Sequence, residues 1–174
     1  MKILILTDSY FPFVGEYSDF SCKLANFLLS SGHKVAVICP SIDHQNTSHE
    51  YKGIQIYRVG TFNFTQRTFP RQTIEKAMSI VDPDIIHLQN HFHLAQYALD
   101  YAKKFIIPTV GTITEKLFQN VSWDKYIGKF KGLDFVTAGT EDEANVFMEA
   151  GFAKKILVMP KIENYEQLYK QVVH

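Results

Sequence analysis

A doubly wound α/β fold, with one mostly parallel sheet and helices on both faces, is predicted by three observations. Short runs rich in Ile, Val, Leu and Phe recur along the chain. Helical apolar spacing fills several of the gaps between them. The chain has 174 residues, about one domain's worth. Hydrophobic residues make up 46% and charged residues 21%, a balance that excludes an intrinsically disordered chain.

The strand runs are Lys2–Thr7, Lys34–Cys39, Ile54–Val59, Asp84–Gln89, Thr109–Thr112, Phe135–Ala138 and Ile156–Met159. Most are nearly continuous in apolar residues, the pattern of strands buried on both faces. About seven strands are therefore expected. After the first run, Phe20, Leu24, Phe27 and Leu28 mark one helix face, and Gly32 stands where a left-handed helix stop belongs. The polar connection from Pro40 to Gly53, with Asp43, Asn46, Ser48 and His49, reads as a mobile loop. Leu94, Ala98, Tyr101, Ala102 and Phe105 mark a helix after the fourth run. Thr140 and Glu143 form an S/T-x-x-E capping box, followed by Val146, Phe147 and Ala150, with Gly151 as the stop. Tyr165, Leu168 and Val172 suggest a final helix.

Composition also narrows function. Lys+Arg and Asp+Glu both total 18, so the basic excess of a nucleic-acid binder is missing. Two cysteines, Cys22 and Cys39, are too few for a disulfide framework or a cysteine zinc site, and read as free thiols. The first apolar run stops at Thr7-Asp8, too early for a signal peptide. The expected location is cytoplasmic.

In such sheets ligands bind beyond the carboxyl ends of the strands, where strand order reverses. With the order 3-2-1-4-5 that point lies between the first and fourth strands. The loops there are Asp8 to Glu16, including Tyr10 and Gly15, and Asn90-His91-Phe92-His93; the turn Ile113-Thr114-Glu115-Lys116 should lie nearby. Neither a dinucleotide fingerprint nor a P-loop is present. His87, His91 and His93 are close in sequence. They read as one histidine packed at a strand end and two polar loop residues, and no metal ligand is assigned. Asp82 and Asp84 bracket Pro83 at a strand start, the wrong end of the sheet for chemistry. The segment from Phe62 to Arg71 interleaves aromatics with Arg67 and Arg71. It either folds over the domain or dips into a lipid headgroup layer.

Several of these residues together resemble a known family. The opening Met1 to Pro12, with Thr7-Asp8-Ser9-Tyr10-Phe11-Pro12, is followed by Gly15 and by Gly32-His33-Lys34-Val35. Further on stand Pro83-Asp84-Ile85-Ile86-His87, Asn90-His91-Phe92, Ile107-Pro108-Thr109-Val110-Gly111-Thr112, Thr140-Glu141 and Val158-Met159-Pro160. Over residues 1–164 this resembles the N-terminal, acceptor-binding domain of family 4 glycosyltransferases. The opening is similar to members that glycosylate lipids such as diacylglycerol.

The resemblance implies one Rossmann-like half of a GT-B fold, with residues 165–174 as a C-terminal helix. It implies a UDP- or GDP-sugar donor held mainly by a second domain, metal-free retaining transfer, and a glycan or lipid acceptor. Gly15 and Glu16 would face the donor phosphates. Asp8, Tyr10, Asn90, His91 and Glu115 would line the acceptor side, and Thr140 and Glu141 would open the last cleft-facing helix.

Three departures stand out. Glu16 replaces a second glycine, setting a carboxylate where phosphates would approach. Thr114 takes the place of the family's active-site histidine, and a threonine does not carry a proton near neutral pH. The third is the expectation that no C-terminal donor-binding domain belongs to this chain. The expectation is a glycosyltransferase-like chain, inactive alone, that pairs with a separate donor-binding chain; contact of 62–71 with the inner membrane face is a side reading, the main one being that this segment covers the domain. The alternative is a non-catalytic module binding glycan, lipid or protein.

Overall fold

The computed structural model describes residues 1–12, 16–41, 43–60, 70–89, 94–113, 128, 130–152 and 154–173, with the backbone alone at 16 and 17. The elements in chain order are β1 (Lys2–Thr7), α1 (Glu16–Ser30), β2 (Lys34–Pro40), β3 (Thr47–Tyr51), β4 (Ile54–Val59), α2 (Arg71–Val81) and β5 (Ile85–Gln89). They continue with α3 (Ala95–Phe105), β6 (Thr109–Ile113), β7 (Phe135–Ala138), α4 (Glu141–Glu149), β8 (Ile156–Val158) and α5 (Glu163–Val172).

The strands form one 8-stranded sheet in the order β3-β4-β2-β1-β5-β6-β7-β8. Every pairing is parallel except β3 with β4. The seven strands expected from apolar runs are present, the first five of them in the expected 3-2-1-4-5 order, and strand order reverses at β1 and β5. The eighth strand corrects the sequence reading, which made Pro40 to Gly53 a mobile loop. Thr47–Tyr51 instead pairs antiparallel with β4, in register from Thr47 opposite Arg58 to Tyr51 opposite Ile54. Lys52 and Gly53 turn the hairpin at φ 50° and 83°, the positive values that two-residue hairpin turns favour. This strand lies at the sheet edge and is largely exposed, so burial imposed no apolar pattern on it.

Both faces of the sheet are covered, which is why its central strands are mostly apolar. On β1, Leu4 and Leu6 point to one face, where Ile74 and Met78 of α2, Ala98 of α3 and Phe147 of α4 pack. Ile3 and Ile5 point to the other, against Leu24 and Leu28 of α1 and Tyr165 and Leu168 of α5. Each fully buried Leu or Ile contributes about 1.5–3 kcal/mol.

The helix ends follow the sequence signals. Gly32 at φ 84° lets its N–H bond the Leu29 carbonyl (3.0 Å) and lets the His33 N–H bond Leu28 (3.1 Å). Gly151 at φ 89° repeats this Schellman pattern on Met148 and Phe147. The capping box at Thr140 is formed: its hydroxyl accepts from the Glu143 N–H at 3.2 Å, and the Glu143 carboxylate accepts from the Thr140 N–H at 3.2 Å.

At the amino ends of the strands, Asp84 serves structure. Its carboxylate accepts from the Lys2 N–H at 2.7 Å while its own N–H bonds the Lys2 carbonyl at 2.8 Å, fixing the register of β1 on β5. Asp82 pairs with the Lys2 ammonium.

Candidate functional site

Parallel register aligns the carboxyl ends of the central strands. Thr7 sits opposite Gln89, Gln89 opposite Thr112, and Ile113 opposite Ala138. Thr7, Gln89, Ile113 and Ala138, the last residues of these strands, are therefore gathered at one edge of the sheet. That edge is where the sequence placed the site.

The described residues fix the first loop from below. The Thr7 hydroxyl donates to the Ser9 carbonyl at 3.1 Å and accepts from the Ser21 hydroxyl of α1 at 3.0 Å. Asp8 is half-buried. Tyr10 is turned inward at 2% exposure, in the cluster with Leu24 and Cys39, and burial raises its phenol well above the ordinary range. Phe11 stacks on Tyr51 of β3, with ring centres 4.6 Å apart. The Arg58 guanidinium of β4 donates to the Phe11 carbonyl. The edge hairpin that the sequence reading missed thus helps to hold the loop.

Thr140 is exposed and caps α4, with Glu141 as the first helical residue. Together with Asp142 and Glu143 it gives the α4 N-terminus an acidic first turn, which answers the positive end of the helix. Gly15, Asn90, His91, His93, Thr114 and Glu115 lie outside the described residues, as do the Glu16 side chain and residues 62–69. Of the 62–71 segment, Arg71 opens α2, and its guanidinium meets Glu75 at 2.7 Å and Asp100 at 3.4 Å.

Beneath this edge lies a polar network that sequence reasoning did not single out. His87 is completely buried in β5. The Tyr169 hydroxyl of α5 lies 2.6 Å from its Nδ1. Its Nε2 lies 3.2 Å from Gln89 Oε1 and 3.2 Å from the Thr112 hydroxyl. Thr112 also meets the Thr137 hydroxyl at 2.7 Å and the Tyr165 hydroxyl at 3.0 Å, and Thr137 donates to the Gly111 carbonyl at 3.3 Å.

One proton arrangement satisfies these contacts. Tyr169 donates to Nδ1, so the imidazole is neutral with its hydrogen on Nε2, which donates to Gln89 Oε1. Burial pushes the His87 pKa down to about 4, against a smaller upward pull from Gln89. Burial raises both tyrosines. The network is thus uncharged. The placement of His87 matches the packed-histidine reading. The tyrosines were visible in the sequence only as apolar-spaced helix positions, with nothing to reveal their hydroxyl partners.

Cys22 and Cys39 are both free, with Cys39 buried and Cys22 half-buried. Burial raises the Cys39 thiol to about 11, opposed by Arg58. Among the described residues no three His, Cys, Asp or Glu side chains are grouped to hold a metal, and no helix is long and apolar enough to cross a membrane.

Residues 21–161 match the family model described as Glycosyltransferase Family 4. The alpha-monoglucosyldiacylglycerol synthase of Streptococcus pneumoniae is 30% identical over 115 residues, 64% of this chain and 26% of that protein. A GDP-mannose-dependent alpha-mannosyltransferase of Mycobacterium tuberculosis is 27% identical over 120 residues, 64% of this chain and 31% of that protein. The match thus spans between a quarter and a third of these relatives' length. Among solved structures, sucrose-phosphate synthase from Thermosynechococcus elongatus superposes with a TM-score of 0.63 at 11% identity, covering 90% of this chain and 46% of that one. Anabaena HepE, in complex with UDP and glucose, gives 0.60 at 13%, covering 91% and 44%. At these identities the likeness speaks to the fold, which is that of one half of a GT-B glycosyltransferase.

Proposed function

The chain belongs to glycosyltransferase family 4, and from that membership we propose that it forms the acceptor-side wall of a sugar-transfer cleft. The carrying observation is that the family match, residues 21–161, falls on a single sheet whose strand order reverses at β1 and β5. A parallel sheet of this kind binds ligands at that reversal.

In this reading an acceptor hydroxyl, on a lipid or a glycan, attacks the anomeric carbon of a UDP- or GDP-sugar. The new glycosidic bond forms as the bond to phosphate breaks, and the nucleoside diphosphate departs with the electron pair and takes up the hydroxyl proton on its freed phosphate oxygen. Asp8, Asn90, His91 and Glu115 contact the acceptor side. Gly15 gives backbone access to the donor phosphates at the α1 N-terminus. Glu16 opposes a second negative group there. Thr140 and Glu141 form the rim. Tyr10 supports the first loop from within the core. A lipid acceptor would be met at a membrane surface, and segment 62–71 is the proposed contact. The relatives named above support a glucosyl or mannosyl group.

The donor needs a second wall, joined to this one or supplied by a separate chain. The 174-residue chain by itself is therefore expected not to turn over. The test is incubation with labelled UDP-glucose or GDP-mannose and dioctanoylglycerol or a short glycan, with and without a donor-binding half added in trans. Transfer only with the added half supports the reading. Transfer by the chain alone overturns it.

Thr114 favours a second reading, a binding module without catalysis, because it stands where the family carries a proton-bearing histidine. Acceptor binding with no transfer under any pairing selects that reading.

A further inference from the structure

A buried amide at the end of β5 carries the inference. Gln89 is 1% exposed, and its Nε2 is the one buried side-chain polar atom without a hydrogen-bond partner among the described residues. Leaving such an N–H unpaired costs its full desolvation, so it needs an explanation. Turning the amide over does not remove the defect. It would place Nε2 against His87 and leave Oε1 unpaired instead. The position is the final residue of β5, directly before Asn90 and between Thr7 and Thr112 in the sheet.

We propose that Gln89 is a ligand-binding residue of the switch-point cleft, its side-chain amide hydrogen-bonding a hydroxyl group of the acceptor. This rests on the acceptor-side reading and adds a specificity residue to it. A hydroxyl both donates and accepts, so it completes the amide in either orientation. The described side chains around Gln89, namely Thr7, Thr112 and neutral His87, supply no positive charge. An anion buried among them would lose its hydration without compensation.

His87 and Tyr169 are positioning residues. The Tyr169 hydroxyl, at 2.6 Å from Nδ1, leaves the imidazole hydrogen on Nε2, and that hydrogen holds Gln89 Oε1 at 3.2 Å. The amide NH2 is thereby turned away from the network. A tyrosine of α5 so sets the direction of a donor at the strand end.

The test uses the full chain labelled with 15N. The Gln89 side-chain NH2 pair is assigned by its loss in Gln89→Met, and the protein is titrated with methyl α-mannopyranoside, dioctanoylglycerol and inorganic phosphate. The expected result is a shift of that NH2 pair with a hydroxyl probe and none with phosphate. Gln89→Met should weaken binding of that probe about tenfold. It should also leave Tm unchanged or raised, because it removes the unpaired group while His87 Nε2 keeps Thr112 at 3.2 Å. Tyr169→Phe should redistribute the His87 tautomers, read from its ring 15N shifts, and shift the Gln89 pair.

Perturbed backbone amides at the strand-end loops with an unmoved Gln89 pair overturn this proposal and leave the acceptor-side reading standing. No perturbation anywhere with either hydroxyl probe overturns both. A lowered Tm in Gln89→Met without weaker binding marks Gln89 as a structural residue and overturns the proposal.

Discussion

His87 makes the stability of this fold depend on pH with a definite sign. It is completely buried, and burial lowers its pKa from 6.5 to about 4. The unfolded chain takes up a proton near the ordinary histidine value. The folded imidazole resists it, because complete burial disfavours the charged ring. Between these two values the unfolded state holds more protons, so stability falls as pH falls. The slope reaches about 1.4 kcal/mol per pH unit. Lowering the pH from about 7 to about 5 removes about 2 kcal/mol, and roughly 3 kcal/mol is gone by about pH 4. Urea unfolding followed by circular dichroism across this range, for the wild type and His87→Gln, measures it. The variant carries no titrating ring, so the difference between the two profiles isolates His87 even if the variant is less stable throughout. The carboxylates of Asp43 and Glu166 are held below their usual range, and they also lose stabilising interactions in acid. They do so in both proteins. Parallel profiles for the two proteins would refute the assignment of a neutral, tyrosine-bound imidazole.

Two further outcomes follow from packing and capping. Thr140→Ala removes the hydroxyl that accepts from the Glu143 N–H, and should cost about 1 kcal/mol in urea unfolding at neutral pH. Gly111→Ala places a methyl group 2.3 Å from Leu133 and 3.2 Å from Phe130, both buried. Something must move, and the expected cost is about 1–3 kcal/mol, seen as a lowered Tm by calorimetry.

What could be read from the sequence divides along physical lines. Strands buried on both faces write themselves as apolar runs, so Lys2–Thr7 and Ile85–Gln89 were legible, as was their place beside the strand-order reversal. Helix ends fixed by local chemistry were legible too: Gly32, Gly151 and the Thr140–Glu143 box each need only neighbouring residues. The β3 hairpin strand was not, because Thr47–Tyr51 lies at an exposed edge and gains its order from pairing with β4. The hydroxyl network was not legible for a different reason. His87, Thr112, Thr137, Tyr165 and Tyr169 are far apart in the chain, and only the closed sheet with α5 docked on it brings their polar atoms together. The candidate site was legible as a place and not as a set of contacts. Asp8, Asn90, His91, Thr114 and Glu115 are read from the family resemblance and the strand ends, whereas the role proposed for Gln89 rests on hydrogen bonds that only the folded sheet creates.

The network also explains why the unpaired amide is informative. A core that buries two tyrosines, two threonines and a histidine pays for their desolvation only if each finds a partner. Here each does. Tyr169 closes on His87, Thr137 closes on the Gly111 carbonyl, and Tyr165 closes on Thr112 or Thr137. Among the described residues satisfaction fails only at Gln89, the last residue of β5. An unpaired group of purely structural origin would have no reason to favour that spot. Exceptions to local consistency tend to gather at functional sites. The same chain of contacts ties α5 to the strand end, since the hydrogen that orients Gln89 is placed by Tyr169. A change that loosens α5 should therefore be felt at Gln89 and the carboxyl end of β5 before it is felt in the rest of the sheet.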